Sequence, residues 1–107
     1  MSLDFSLVEN KPVEIFSVNI THNLNIMAKK AGIYECLWRP DENNFKYAKE
    51  IIPILQQGLE RLTNNPEFYK QFNATNNWGV YENFVSFVKE VLCACEENPD
   101  STIQVSR

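Results

Sequence analysis

Three glycines and a single histidine are all that the 107 residues hold of either type, and that scarcity removes several function classes at once. A phosphate-binding loop or a dinucleotide fingerprint needs several glycines at fixed spacing, and a zinc-protease helix needs paired histidines. Neither pattern is present. Cysteine is as sparse: Cys36, Cys93 and Cys95 are an odd number, and Cys-x-Cys alone matches no strong metal or redox spacing. Free thiols are expected, with no metal and no cofactor.

Long apolar runs are missing too. The longest, such as Ile51 to Leu55, are about five residues, against the ~20 that cross a bilayer. Met1 to Glu14 carries Asp4, Glu9 and Glu14 against Lys11 alone, without the basic start and apolar stretch of a secretory signal. A soluble, cytoplasmic chain with no membrane partner is the expectation, and the sequons at Asn19 and Asn73 read as caps and turns. Cations are in deficit, ten Lys and Arg against 14 Asp and Glu, for a net charge of −4. That sign opposes binding to a nucleic-acid backbone.

What the chain does have is apolar content for a core: 44% hydrophobic residues, including seven Phe, four Tyr and two Trp. That content argues against intrinsic disorder, and the length suits one globular domain over residues 1–107. Val13 to Ile20 is β-branched, with Phe16, Val18 and Ile20 in a period-2 pattern, and Thr102 to Val105 is a second short β-branched stretch. The two terminal strands are expected to pair with each other, and no element is assigned before Val13.

Between them the spacing is helical. Thr21 reads as a helix cap ahead of Leu24, Met27, Ala28 and Ala31, with Gly32 as the stop. Tyr34 to Trp38 adds a turn that ends before Pro40. A longer helix after Asn43 or Asn44 follows Phe45, Ala48, Ile52, Leu55, Leu59 and Leu62, with Pro53 on its solvent side and a kink expected there. Asn65-Pro66-Glu67 opens a short helix reaching Phe72. The polar run Asn73 to Asn77 is a loop, and Val80 to Glu97 forms the central helix. That phase turns Cys95 inward and Cys93 outward. The fold class is α+β, predominantly helical, with a small two-stranded sheet.

Thr21-His22-Asn23-Leu24, Met27-Ala28, Ala31-Gly32-Ile33-Tyr34 and Leu37-Trp38-Arg39-Pro40 together resemble a family of small uncharacterised bacterial and phage-type proteins. Asn77-Trp78-Gly79 with Tyr81 is similar to that family's Asn-Gly-Trp-Gly-x-Tyr motif, except that Asn76-Asn77 stands where Asn-Gly is expected. The resemblance runs from about Thr21 onward and implies a fold without a mechanism.

The polar and aromatic residues of the two motifs, His22, Asn23, Trp38, Arg39, Asn77, Trp78 and Tyr81, form the candidate ligand site. Trp and Tyr offer faces for stacking, Arg39 a planar fork for a carboxylate or phosphate, and the Asn groups fix orientation. A small anionic or aromatic ligand would suit such a patch. The opposing reading has Trp38 and Trp78 filling the core and Arg39 capping carbonyls. An enzyme would need His22 as base beside a cysteine or an activated water. Glu82, Glu90, Glu96 and Glu97 read as a solvated face. The expectation is a small non-enzymatic binding or protein-interaction module, with the ligand-binding protein or enzyme as alternatives. A second apolar row, Tyr47, Ile51, Ile54 and Gly58, either packs internally or supports a homodimer or a protein partner.

Overall fold

The computed structural model describes residues 2–9, 14–73 and 79–107. Its sheet is built around a strand at the very start of the described chain, where no element is expected. Strand β1 (Ser2–Val8) alternates Leu3, Phe5 and Leu7 with small polar residues, and all three apolar side chains are fully buried. Strand β2 (Glu14–Thr21) runs antiparallel along one edge of β1, and β3 (Thr102–Ser106) antiparallel along the other. The sheet therefore has three strands in the order β2-β1-β3. The two terminal strands expected to pair with each other do not touch, because β1 lies between them.

The register puts Leu3, Phe5 and Leu7 opposite Ile20, Val18 and Phe16, and Phe5 and Leu7 opposite Val105 and Ile103. Directly opposed residues share a face, so these side chains make one apolar surface that the helices cover. The other face is polar: Asn19 Nδ2 donates to Asp4 Oδ1 at 2.6 Å, and Ser6 Oγ to Glu14 Oε1 at 3.0 Å.

Thr21 caps the turn that follows β2, its Oγ1 accepting the Asn23 N–H at 3.2 Å. A 3-10 turn (His22–Leu24) leads into α1 (Asn25–Lys30), which Gly32 stops at φ 78°, and α2 (Tyr34–Trp38) follows. The long helix α3 (Ala48–Asn64) begins later than its apolar spacing suggests. Asn44 turns the chain at φ 63°. The next residues run alongside β3, where Lys46 O accepts the Ile103 N–H at 2.8 Å and Tyr47 bridges Thr102. Phe45 thus precedes the helix. The first N–H groups of α3 find carbonyls across the fold, Ala48 N donating to Ser101 O and Lys49 N to Pro99 O, each at 2.9 Å.

Pro53 lies on the exposed side of α3, and the helix continues through it. The inward face of α3 carries Ala48, Ile51, Leu55, Gly58 and Leu62, whereas Ile52 and Leu59 are half-buried. This corrects the expected phase and bears on the homodimer. Ile51 and Gly58 of the second row are inside, and a Cβ on Gly58 would overlap Ile33 Cγ2 at the α1–α2 junction, whereas Ile54 is half-buried and Tyr47 is exposed.

Helix α4 (Pro66–Lys70) has its proline at the first position as expected. Helix α5 (Tyr81–Glu97) packs on both α3 and the sheet, with Tyr81, Phe84, Phe87, Val88, Val91, Ala94 and Cys95 buried. One buried cluster runs through the sheet and all five helices. Among the described residues, no helix is long and apolar enough to cross a membrane.

Candidate functional site

His22 and Trp38, 16 residues apart, meet directly. The Trp38 indole Nε1 donates to His22 Nδ1 at 2.8 Å, which leaves Nε2 as the imidazole's remaining polar atom. Trp38 is 2% exposed, so this bond satisfies an indole N–H that would otherwise be buried without a partner. The Tyr34 ring stacks on Trp38 at 5.6 Å between centroids, and Lys29 Nζ sits 4.7 Å over Tyr34. Arg39 lies next to this stack: its Nε reaches the Tyr34 hydroxyl at 3.4 Å and its NH1 pairs with Glu42 at 2.8 Å.

The far end of the chain closes the cluster. Arg107 NH1 donates to Trp38 O at 2.9 Å and to Asp41 Oδ1 at 2.8 Å, and this contact holds the Asp41 carboxyl below its usual range. His22, Trp38 and Arg39 are thus brought together, and Asn23 is exposed on the adjoining turn. Tyr34, Asp41, Glu42 and Arg107 belong to the same cluster and lie outside the expected set. Tyr34 stands inside the first motif, four residues before Trp38. Arg107 carries no signal in the sequence, since its partners are more than sixty positions away.

Tyr81 goes elsewhere. Its hydroxyl donates to Leu62 O at 2.6 Å and its N–H to Asn73 Oδ1 at 2.7 Å, which places the ring in the core beside the end of α3. Asn77 and Trp78 lie outside the described residues. The second motif does return to the first through Gly79, where a Cβ would come within 2.9 Å of Thr21 Cγ2 and 3.0 Å of Leu24 Cγ.

Among the described residues, no thiol is hydrogen-bonded to His22: Cys36 reaches Ile33 O and Cys93 reaches Glu97. Cys36 and Cys95 are buried and Cys93 is exposed, as the helical phase requires. Burial pushes the Cys36 thiol up, with Cys95 adding to it, and pushes Cys95 up to about 12. Cys93 is raised by its hydrogen bond to Glu97 Oε1 at 3.4 Å. A thiolate is the nucleophilic form, so all three shifts run against covalent chemistry.

Among the concave surfaces of the described residues, two adjoin the sheet edge and the long helix. One is an open groove of about 310 Å³ between Val18–Ile20 of β2 and the Asn83, Ser86, Phe87 and Glu90 face of α5. The other is a cleft of about 370 Å³ between α2 and α3. Comparison with known proteins returns nothing: no family model, no curated protein and no solved structure matches the chain.

Proposed function

We propose that this chain is a small non-enzymatic interaction module that captures an extended segment of a partner protein at the free edge of β2. The observation that carries the reading is the state of that edge. Strand β2 ends the sheet order, and among the described residues no backbone hydrogen bond reaches it except from β1. Edge strands are ordinarily blunted by Lys, Pro, bulges or a covering segment. The register of β2 shifts at Ile15, so an irregularity marks its Glu14 end, but from Phe16 to Thr21 the pairing is regular and the strand contains no charge and no Pro.

Beside the edge lies the α5 groove, which gives an added strand somewhere to place its side chains. Main-chain bonds to β2 would supply affinity, and alternate residues of the incoming strand would fall toward Phe87 and the Val18–Ile20 wall. Glu90 is the one charged lining residue and favours Lys or Arg on the segment. The partner is therefore an extended segment of alternating apolar residues with a basic flank. A small anionic ligand at His22, Asn23, Trp38 and Arg39 has weaker support, because His22 Nδ1, the Trp38 indole and two Arg39 donors are already committed to internal bonds.

The test is an NMR titration of the full chain with a synthetic Lys-Val-Thr-Val-Lys-Val-Thr peptide. We expect amide protection along Glu14–Thr21 and shifts at Asn83, Ser86 and Phe87. Ser86→Arg, at an exposed groove position, should abolish both while leaving the melting temperature unchanged. Shifts confined to other surfaces, or none with peptide at millimolar concentration, would refute the reading. Molar mass by light scattering identifies the occupant further: a parent dimer dissolved by Ser86→Arg would make a second copy of this chain the partner.

A further inference from the structure

Independently of the β2 edge, we propose that the cleft between α2 and α3 binds a small zwitterion with an apolar body, of the class of apolar α-amino acids. Its volume of about 370 Å³ lies within the ~300–1,000 Å³ typical of small-ligand sites. The floor is apolar, formed by buried Cys36 and half-buried Phe45 and Ile54. Two opposite charges line the same space, Glu35 from α2 and Arg61 from α3. Among the described residues, neither forms an ion pair with the other or with any third group.

The guanidinium is nevertheless held in place. Arg61 NH1 donates to Ala31 O at 2.9 Å, passing over Gly32, where a Cβ would come within 3.0 Å of that nitrogen. One N–H is committed by this contact, and most of the five donors of the fork stay free for a carboxylate. Glu35 from α2 and Arg61 from α3 therefore give one small space both an anionic and a cationic group. A ligand with ammonium and carboxylate on a single carbon presents both charges to such a space.

The pairing also decides against simpler ligands. A plain carboxylic acid would satisfy Arg61 and set its remaining surface beside an unanswered Glu35, whereas an amine alone would do the reverse. A zwitterion answers both, and its apolar side chain covers Phe45 and Ile54. Gln57, one turn before Arg61 on α3, adds an amide at the same rim.

The experiment titrates the full chain with L-leucine and L-phenylalanine, read by calorimetry and by NMR shifts. We expect saturable binding with shifts at Phe45, Ile54 and Gln57. Leucinamide and 4-methylpentanoic acid, each lacking one charge, should bind about tenfold more weakly or worse, the loss of one charge-assisted contact. Glu35→Gln, at an exposed side chain with no internal bond, should reduce leucine to the affinity of 4-methylpentanoic acid and leave the acid's own affinity undiminished. Arg61→Gln should weaken both compounds. Because it also removes the Ala31 contact, the Glu35→Gln comparison is the deciding one. Three results would overturn the proposal: no saturable shift up to about 20 mM ligand, equal affinity for all three leucine-like compounds, or shifts that map outside the cleft.

Discussion

The three sulfurs of this chain share a residue type and differ in surroundings, and the surroundings set their chemistry. Cys93 is the exposed one, yet the carboxylate of Glu97 that accepts its S–H also opposes its ionisation. In the folded protein, thiol reagents should therefore label Cys93 alone, and slowly at neutral pH. Glu97→Gln should move the midpoint of the rate–pH profile to lower pH and speed labelling at pH 7, which mass spectrometry after timed quenching would read. Equal protection of Cys93 and Cys95 would contradict the outward position of the one and the burial of the other. The side to which Cys93 and Cys95 point is legible in the sequence, since helical phase is a local property. The meeting of His22, Trp38 and Arg39 is legible only as a grouping of motif residues. The bond that joins His22 to Trp38 depends on how two short helices fold back, and the Arg107 clasp depends on where a distant segment arrives, so neither has a local pattern to read.

At the scale of elements, α3 shows a proline carried by tertiary packing. Pro53 sits beyond the first turn, where the loss of a hydrogen bond and the clash with the preceding turn cost about 3 kcal/mol relative to alanine. Alanine gives back about 1 kcal/mol of that through a more disordered unfolded chain. Pro53→Ala should therefore stabilise the protein by about 2 kcal/mol in urea denaturation. No change, or a loss, would mean that a bend at this point is needed by the core. Helices are the legible part of the fold because apolar residues at steps of three and four mark them directly. The start of α3 is misplaced by its spacing because nothing local reveals that Lys46 and Tyr47 are drawn into pairing with Thr102 and Ile103. Strand β1 escapes detection for a related reason. Its Leu3, Phe5 and Leu7 alternate with Ser and Asp, residues of low strand preference, and pairing on both sides makes the segment a strand.

For the molecule as a whole, β1 is the piece on which the layers depend. Phe5 is fully buried, opposite Val18 on one side and Val105 on the other. Phe5→Ala should destabilise the protein by about 3–5 kcal/mol, measured as a lower urea midpoint with unchanged slope. A cost below about 1 kcal/mol would show that the sheet can close without filling that site. The central place of β1 also orders events in time. Its partner β2 follows directly in the chain, so those two can zip together early, while β3 is separated from β1 by every helix of the fold. Closing a loop of that length is entropically uphill until the intervening helices have packed, and contacts of such range slow folding. Until β3 arrives, β1 offers an open edge of alternating Leu, Phe and Leu to any neighbouring chain. The period of greatest hazard for this protein is thus the interval between hairpin formation and the docking of β3, and crowding during that interval favours strand exchange between copies.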